Sequence, residues 1–362
     1  MKLKLFAALT LGLSLVVSGF ATGCGEHKAE VEAENTVPYP DVPTGSGGGV
    51  LNANKNFAFL QNRFPSAVIN PAPWAGFWWP YQSNGIASAA AKYEAADSDS
   101  GAAASWERDR HGQGLGAVAD WWGHCNGWAA AAMLTPEPRS SKSVGGQNFD
   151  ISDRKALLTE TFMEVTGDFL GTRVNSPDDT NSAAMRDITP AQFFLMITNV
   201  MGGRGRAFVM DRYTGHEVWN HPTVAYMTAP VTRDDYIGAD PEFPNVHRVN
   251  VSTKIFWVKD NVDPDITTPA FDFNAVADVF EGRTLRYELW LDAAPQFDAD
   301  GKLISSGDVI LTTSGIGGEW KNGNLPLVNS HPDYMWIPTN AARSSGFKNP
   351  NISDQWVFSN IR

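Results

Sequence analysis

The spacing of apolar positions changes character partway along the chain. In the first half, three stretches have the length and grouping of helices. The residues CNGWAAAAML, Cys125 to Leu134, predict one that stops before Thr135-Pro136-Glu137-Pro138, where proline cannot continue it. DRKALLTETFMEVT predicts a second over about 153–166, and PAQFFLMITNVM a third over about 190–201. From residue 206 onwards apolar and polar residues alternate instead. The segment 206–228 predicts two strands about a Tyr-Thr-Gly turn, and 247–260 and 283–293 are further alternating runs. Helices early and antiparallel strands late predict an α+β fold, a helical half packed against an antiparallel sheet half.

Before residue 51 neither period is present. Lys2 and Lys4 precede an apolar run, Leu5 to Val17, too short to span a bilayer as a permanent helix. Small residues then lead into Ala21-Thr22-Gly23-Cys24, which resembles the lipobox of bacterial lipoproteins. Residues 1–23 are therefore read as a lipoprotein-type signal peptide and Cys24 as the lipidation site. Residues 24–50, rich in Glu, Pro and Gly, form a tether, and 51–362 the domain. The expected location is the bacterial cell envelope, with the protein exported and lipid-anchored or secreted.

Composition narrows the partners. A formal net charge of −12 and no basic cluster beyond the signal exclude nucleic acid. With 43% hydrophobic residues and 13 Trp, the chain builds a substantial core. The sequence holds two cysteines. With Cys24 lipidated, Cys125 is the remaining thiol, and counting excludes a disulfide framework.

Cys125 falls in the first turn of its predicted helix. Unpaired backbone N–H groups there favour thiolate over thiol and can stabilise an oxyanion. Gly123 and Gly127 allow backbone and substrate to approach closely. This is the setting of a nucleophilic cysteine, against the alternative of a buried, inert one. A nucleophile needs a base. His124 is adjacent, and consecutive helix residues do not face each other. The downstream histidines are His216, His221, His247 and His331.

At Glu217-Val218-Trp219-Asn220 followed by Pro222, the sequence resembles the peptide signature of the oomycete transglutaminase elicitors and their bacterial relatives, with His221 where those typically carry glutamine. Trp121, Gly123, Cys125 and Trp128 fit the family's cysteine helix, Pro136 to Pro138 its Pro-Glu-Pro, and Phe208, Val209, Asp211 and Arg212 its Phe-Val-x-Asp-Arg run. Gly317 to Trp320 and His331 to Trp336 share the family's look, so the resemblance covers roughly 121–336.

The resemblance implies a papain-like cysteine-enzyme fold and an acyltransferase. Cys125 would form a thioester with a protein glutamine and pass it to an amine donor, with His221 as base and Asp211 orienting it. Two positions depart from the family pattern: Asn126 follows the cysteine where a histidine is expected, and Phe194 replaces one in the segment before Asn199. Three readings stay open: His221 as base, His331 as base, or a domain that only binds. A cysteine peptidase on the same scaffold is a further alternative.

Other signals are weaker. FDADGKLIS, Phe297 to Ser305, hints at calcium but fails the EF-hand spacing and reads as a tight turn. DNVDPD, Asp260 to Asp265, reads as a solvated acidic loop. Trp74, Trp78 and Trp79 form either a substrate platform or core. No metal ligands are assigned, and calcium is the one cofactor left open.

Overall fold

The computed structural model describes residues 54–97, 101–171, 188–311, 318–321, 331–342 and 346–362. The signal peptide, Cys24, the tether and Gly317 lie outside these residues. Among the described residues no helix is long and apolar enough to cross a membrane.

The chain opens with helix α1 (Phe57–Arg63), whose Asn56 cap accepts from Phe59 N, and a short strand β1 (Ser66–Val68). Helices α2 (Ala87–Ala96), α3 (Ala103–Arg110) and α4 (Cys125–Leu134) follow. A hairpin of β2 (Lys142–Val144) and β3 (Gln147–Phe149) leads into α5 (Ile151–Thr161). Asp150 and Asp153 close a reciprocal capping box at the start of α5. That helix is shorter than the sequence predicts, because Val165 and Thr166 already belong to strand β4 (Val165–Gly171).

Next comes α6 (Pro190–Leu195), capped by Thr189 and Gln192 and continued by a π-helical turn over Met196–Gly202. The strands of the second half are β5 (Val209–Asp211), β6 (Asn220–Thr228), β7 (Tyr236–Ala239), β8 (His247–Val258) and β9 (Phe280–Leu291). A small hairpin, β10 (Gln296–Phe297) with β11 (Leu303–Ser305), turns at Asp298, whose Oδ1 accepts from Asp300 and Lys302 N–H. This is the tight turn expected in place of a calcium loop. The described chain closes with β12 (Gly318–Trp320), β13 (Tyr334–Ala342) and α7 (Asp354–Asn360).

The main sheet has nine strands in the order β12-β9-β8-β6-β5-β13-β4, with β1 on β6 and β7 on β8. Every pairing is antiparallel. Side chains alternate across a strand, and here consecutive residues enter different cores. Val209, Phe169, Phe256 and Trp336 face one core, while their neighbours Met210, Leu170, Ile255 and Met335 face the other. The first core holds α2, α4, α5 and α7. The second holds α1, α6 and the π turn. The fold is α+β as expected, but helices cover both faces of the sheet instead of forming one half opposite it.

Candidate active site at the start of α4

Helix α4 is apolar all round and therefore buried all round: every residue from Cys125 to Ala132 is in the interior. Its glycines are explained by neighbours, not by substrate. A Cβ at Gly127 would come within 2.5 Å of the Thr159 carbonyl oxygen, so glycine lets α4 lie against α5. A Cβ at Gly123 would come within 2.5 Å of the Trp78 ring and carbonyl. No side chain caps the helix: His124 occupies the cap position, its backbone N–H donating to Trp78 O at 2.6 Å.

Cys125 is fully buried beneath this helix start. Its Sγ lies 3.7 Å from the Val218 carbonyl oxygen, and the Asn220 amide Nδ2 points at it from 3.6 Å. The other end of that amide is fixed, because Asn220 Oδ1 accepts from Tyr334 O–H at 3.1 Å and Trp336 Nε1–H at 3.0 Å. Asn220 pairs with Asp211 across β5 and β6, and Asp211 Oδ1 accepts the Trp219 N–H at 3.1 Å. The Trp219 ring meets Trp78 edge-on with centroids 5.6 Å apart. Every residue of the Val218-Trp219-Asn220 signature is thus accounted for structurally. Val218 places a carbonyl at the sulfur, Trp219 is clamped to Asp211, and Asn220 places an amide at the sulfur. Asn220 was legible only as part of that signature, not as a site residue.

No described cysteine is free: Cys125 is disulfide-bonded. The sequence's other cysteine, Cys24, lies outside the described residues. A single bond makes no disulfide framework, but Cys125 is not the leftover free thiol that the sequence predicts, and thiol chemistry there belongs to its reduced form.

The predicted histidines are engaged elsewhere. His221 is buried with Nδ1 donating to Val258 O at 2.9 Å and Nε2 3.6 Å from Asp260 Oδ2, between the Trp128 and Trp257 rings. Burial pulls its pKa below the usual imidazole value, against the nearby Asp260 charge. Asp260, expected in a solvated loop, is itself buried. His331 stacks on Trp320 with centroids 4.9 Å apart. His216, half-buried on the 212–219 connection, is edge-on to Trp121 at 6.2 Å.

Phe194 does not stand in for a base beside the cysteine. It packs on Phe57 in the second core, across the sheet from Cys125. Asn126 serves the packing of the helix, donating to Met163 O at 3.1 Å beyond the end of α5. Trp74 and Trp79 are core, and Trp78 is half-buried.

A second polar cluster, not legible in the sequence, begins one residue before the cysteine. His124, His111, Glu107 and Glu160 are all buried, with one donor atom from each within 4.8 Å of the others. Burial disfavours a charged imidazole, yet the hydrogen bonds and charges of Glu107 and Glu160 prevail and push the His124 pKa up to about 10. Glu107, despite burial, is held well below the usual carboxylate range by His111 and His124. The available signal was the Glu107–His111 spacing of four, which places both on one helix face.

Residues 94–243 match the family model described as Transglutaminase elicitor. Among solved structures, the chain is similar to the GP42 transglutaminase from Phytophthora sojae, at 21% identity over 83% of this chain and 92% of that chain, with a TM-score of 0.59. No curated protein matches. The matched segment contains Cys125, Asp211, Asn220, His221 and all four residues of the second cluster. Residues 94–243 thus resemble transglutaminase-elicitor sequence, and the fold around them is similar to that of the GP42 transglutaminase.

Proposed function

We propose that this protein is a transglutaminase-type acyltransferase whose nucleophile is the reduced Cys125. The observation that carries the proposal is the position of Sγ at the uncapped start of α4, with the Asn220 amide aimed at it from 3.6 Å. A cysteine at a helix start facing antiparallel strands is the arrangement expected of a papain-like enzyme. The thiolate attacks the carboxamide carbon of a protein glutamine, and the first-turn N–H groups and Asn220 Nδ2–H stabilise the oxyanion. The carbon–nitrogen bond breaks, ammonia leaves with a proton, and a thioester remains. An amine then attacks the thioester, returning the thiolate and forming a new amide; water in its place gives deamidation.

The proton acceptor is assigned to His216. It sits on the connection that carries Val218, and among the described residues its ring nitrogens have no hydrogen-bond partner. The resemblance points to His221, whose Nδ1 is committed to Val258 O. Asp211 acts as a positioning residue by clamping the Trp219 backbone. Because the sulfur is buried, substrate has to open a path to it; the half-buried Trp219, flanked by the two residues that touch Sγ, and the Trp78 ring packed on it are the side chains expected to move. Export belongs to the same proposal; lipidation at Cys24 uses up that residue's thiol and so applies to the form in which Cys125 is reduced, and mass spectrometry of the mature N-terminus tests both.

The experiment is dansylcadaverine incorporation into casein with and without reductant. Incorporation is expected only after reduction, with loss of more than about 1000-fold in Cys125→Ala. His216→Ala is expected to lose about 100-fold, and His221→Ala to stay within a few-fold of the parent protein. Retained incorporation in Cys125→Ala removes the proposal.

One observation favours a second reading, a domain that binds without catalysis: Cys125 is disulfide-bonded and has no exposed surface. A thiol that resists iodoacetamide in the reduced, folded protein decides for it.

A further inference from the structure

We propose that Glu107, His111, His124 and Glu160 form a closed, four-coordinate site for a divalent transition-metal ion, zinc by the chemistry of its donors. The inference is independent of the acyl-transfer proposal.

The four donors come from three helices. Glu107 lies in α3 and His111 caps its C-terminal end, His124 caps α4, and Glu160 lies in the last turn of α5. His124 Nε2 is 3.1 Å from His111 Nδ1, 3.2 Å from Glu160 Oε2 and 3.4 Å from Glu107 Oε2. His111 Nδ1 is 3.2 Å from Glu107 Oε2 and 3.9 Å from Glu160 Oε2. Metal–ligand bonds of about 2.0–2.2 Å at tetrahedral angles separate donors by about 3.3–3.6 Å. The observed distances bracket that spacing. Four atoms of this kind converge on one point, as ligands around a common centre do.

The outer atoms of three of the four ligands are already held, as metal ligands require. His124 Nδ1–H donates to Trp79 O at 3.1 Å, which leaves Nε2 as the inward atom. Asn349 donates its backbone N–H to Glu160 Oε1 at 2.6 Å and its side-chain Nδ2–H to Glu107 Oε1 at 3.0 Å. Both carboxylates are thereby turned so that Oε2 faces the centre. Tyr81 stacks on His111 with centroids 4.8 Å apart. Gly85 closes the wall, since a Cβ there would come within 2.6 Å of His124 Cε1.

Independently of the cluster's composition, Glu160 Oε2 is fully buried and faces the centre, and although His124 Nε2 lies 3.2 Å away no N–H is aligned on it. A buried carboxylate oxygen of this kind is costly. If His111 Nδ1–H served Glu107 and His124 Nε2–H served Glu160, two N–H bonds would oppose each other across 3.1 Å. A dication receives both imidazole lone pairs and both carboxylate oxygens at once and leaves the site neutral. Calcium takes six to eight oxygens, whereas an imidazole-carboxylate tetrahedron suits zinc. Four protein ligands leave no position open, so the ion is structural. It fixes the residue that begins the cysteine helix.

The test uses the full chain purified without chelator. Elemental analysis should give about one zinc per chain, and stripping with a chelator should lower Tm by roughly 5 °C or more, restored by zinc alone. Cobalt(II) added to the stripped protein should give the intense visible bands of tetrahedral coordination. His111→Ala should lose them; if that variant does not fold, the cobalt spectrum of the parent protein decides. Less than about a tenth of an equivalent of metal, with no Tm response to zinc or cobalt, overturns the site. A weak, octahedral-type cobalt spectrum, or stabilisation by calcium only, overturns it as well.

Discussion

The two faces of the sheet are built to different rules. Beneath the second core, α1, α6 and the π turn pack Phe57, Phe193, Phe194, Met196 and Ile197 against Tyr287 and Leu289. The first core is just as dry, yet at the start of α4 it carries a cysteine, two histidines, two glutamates, Asp211 and Asn220, all fully or nearly fully buried. Buried polar groups cost free energy unless each is satisfied. The apolar face therefore supplies stability, and the polar one holds chemistry in place at stability's expense.

The comparison breaks most sharply at Phe194. Phe194→Ala should cost about 3–5 kcal/mol, the range for truncating a buried phenylalanine, as read by urea denaturation. The iodoacetamide rate of reduced Cys125 in the folded protein should not change. A changed rate would mean that the two faces are coupled. On the polar face, Asn220→Ala should lower amine incorporation about 100-fold, the scale for one lost oxyanion donor. It should also cost stability, because the Tyr334 hydroxyl and Trp336 N–H lose their acceptor.

A smaller effect is expected at Glu288, a buried acid whose partners are ordinary cations. Burial would raise its pKa, but hydrogen bonds from Arg248, Lys321 and Trp290 outweigh that and hold it at about 2. The folded pKa lies below the unfolded value of about 4.3. Its stabilisation is therefore fully present above about pH 5 and is lost as pH falls towards 2. Glu288→Gln should cost about 2 kcal/mol at pH 7, and the difference from the parent protein should shrink on acidification. A constant difference from pH 7 to pH 3 would show that the charge is not what matters. Glu288 also sharpens the contrast with Glu160, which faces imidazoles and no lysine or arginine.

The helix over 125–134 was legible because a proline stop and an unbroken apolar run bound it. Strands β8 and β9 were legible because Val249, Val251 and Ile255, and Leu285, Tyr287 and Leu289, alternate inward. Helices α2 and α3 were not legible: Ala89, Ala90, Ala103 and Ala104 are small residues that carry little periodic signal. Nor was β13, which enters the sheet between β5 and β4 from far along the chain. At the site, Cys125 stood out by its neighbours. Asn220 and the Glu107–Glu160 cluster did not, because long-range packing brings their partners together.

Asn349 has a consequence for how the chain is made. One side chain near the end of the sequence steadies carboxylates from α3 and α5, and just beyond it the Ile361 carbonyl accepts from Arg154. The helices of the first core cannot lock until those residues are in place. Closure of the first core therefore waits on contacts made 189 and 242 residues apart along the chain, a slow, high-contact-order step in folding.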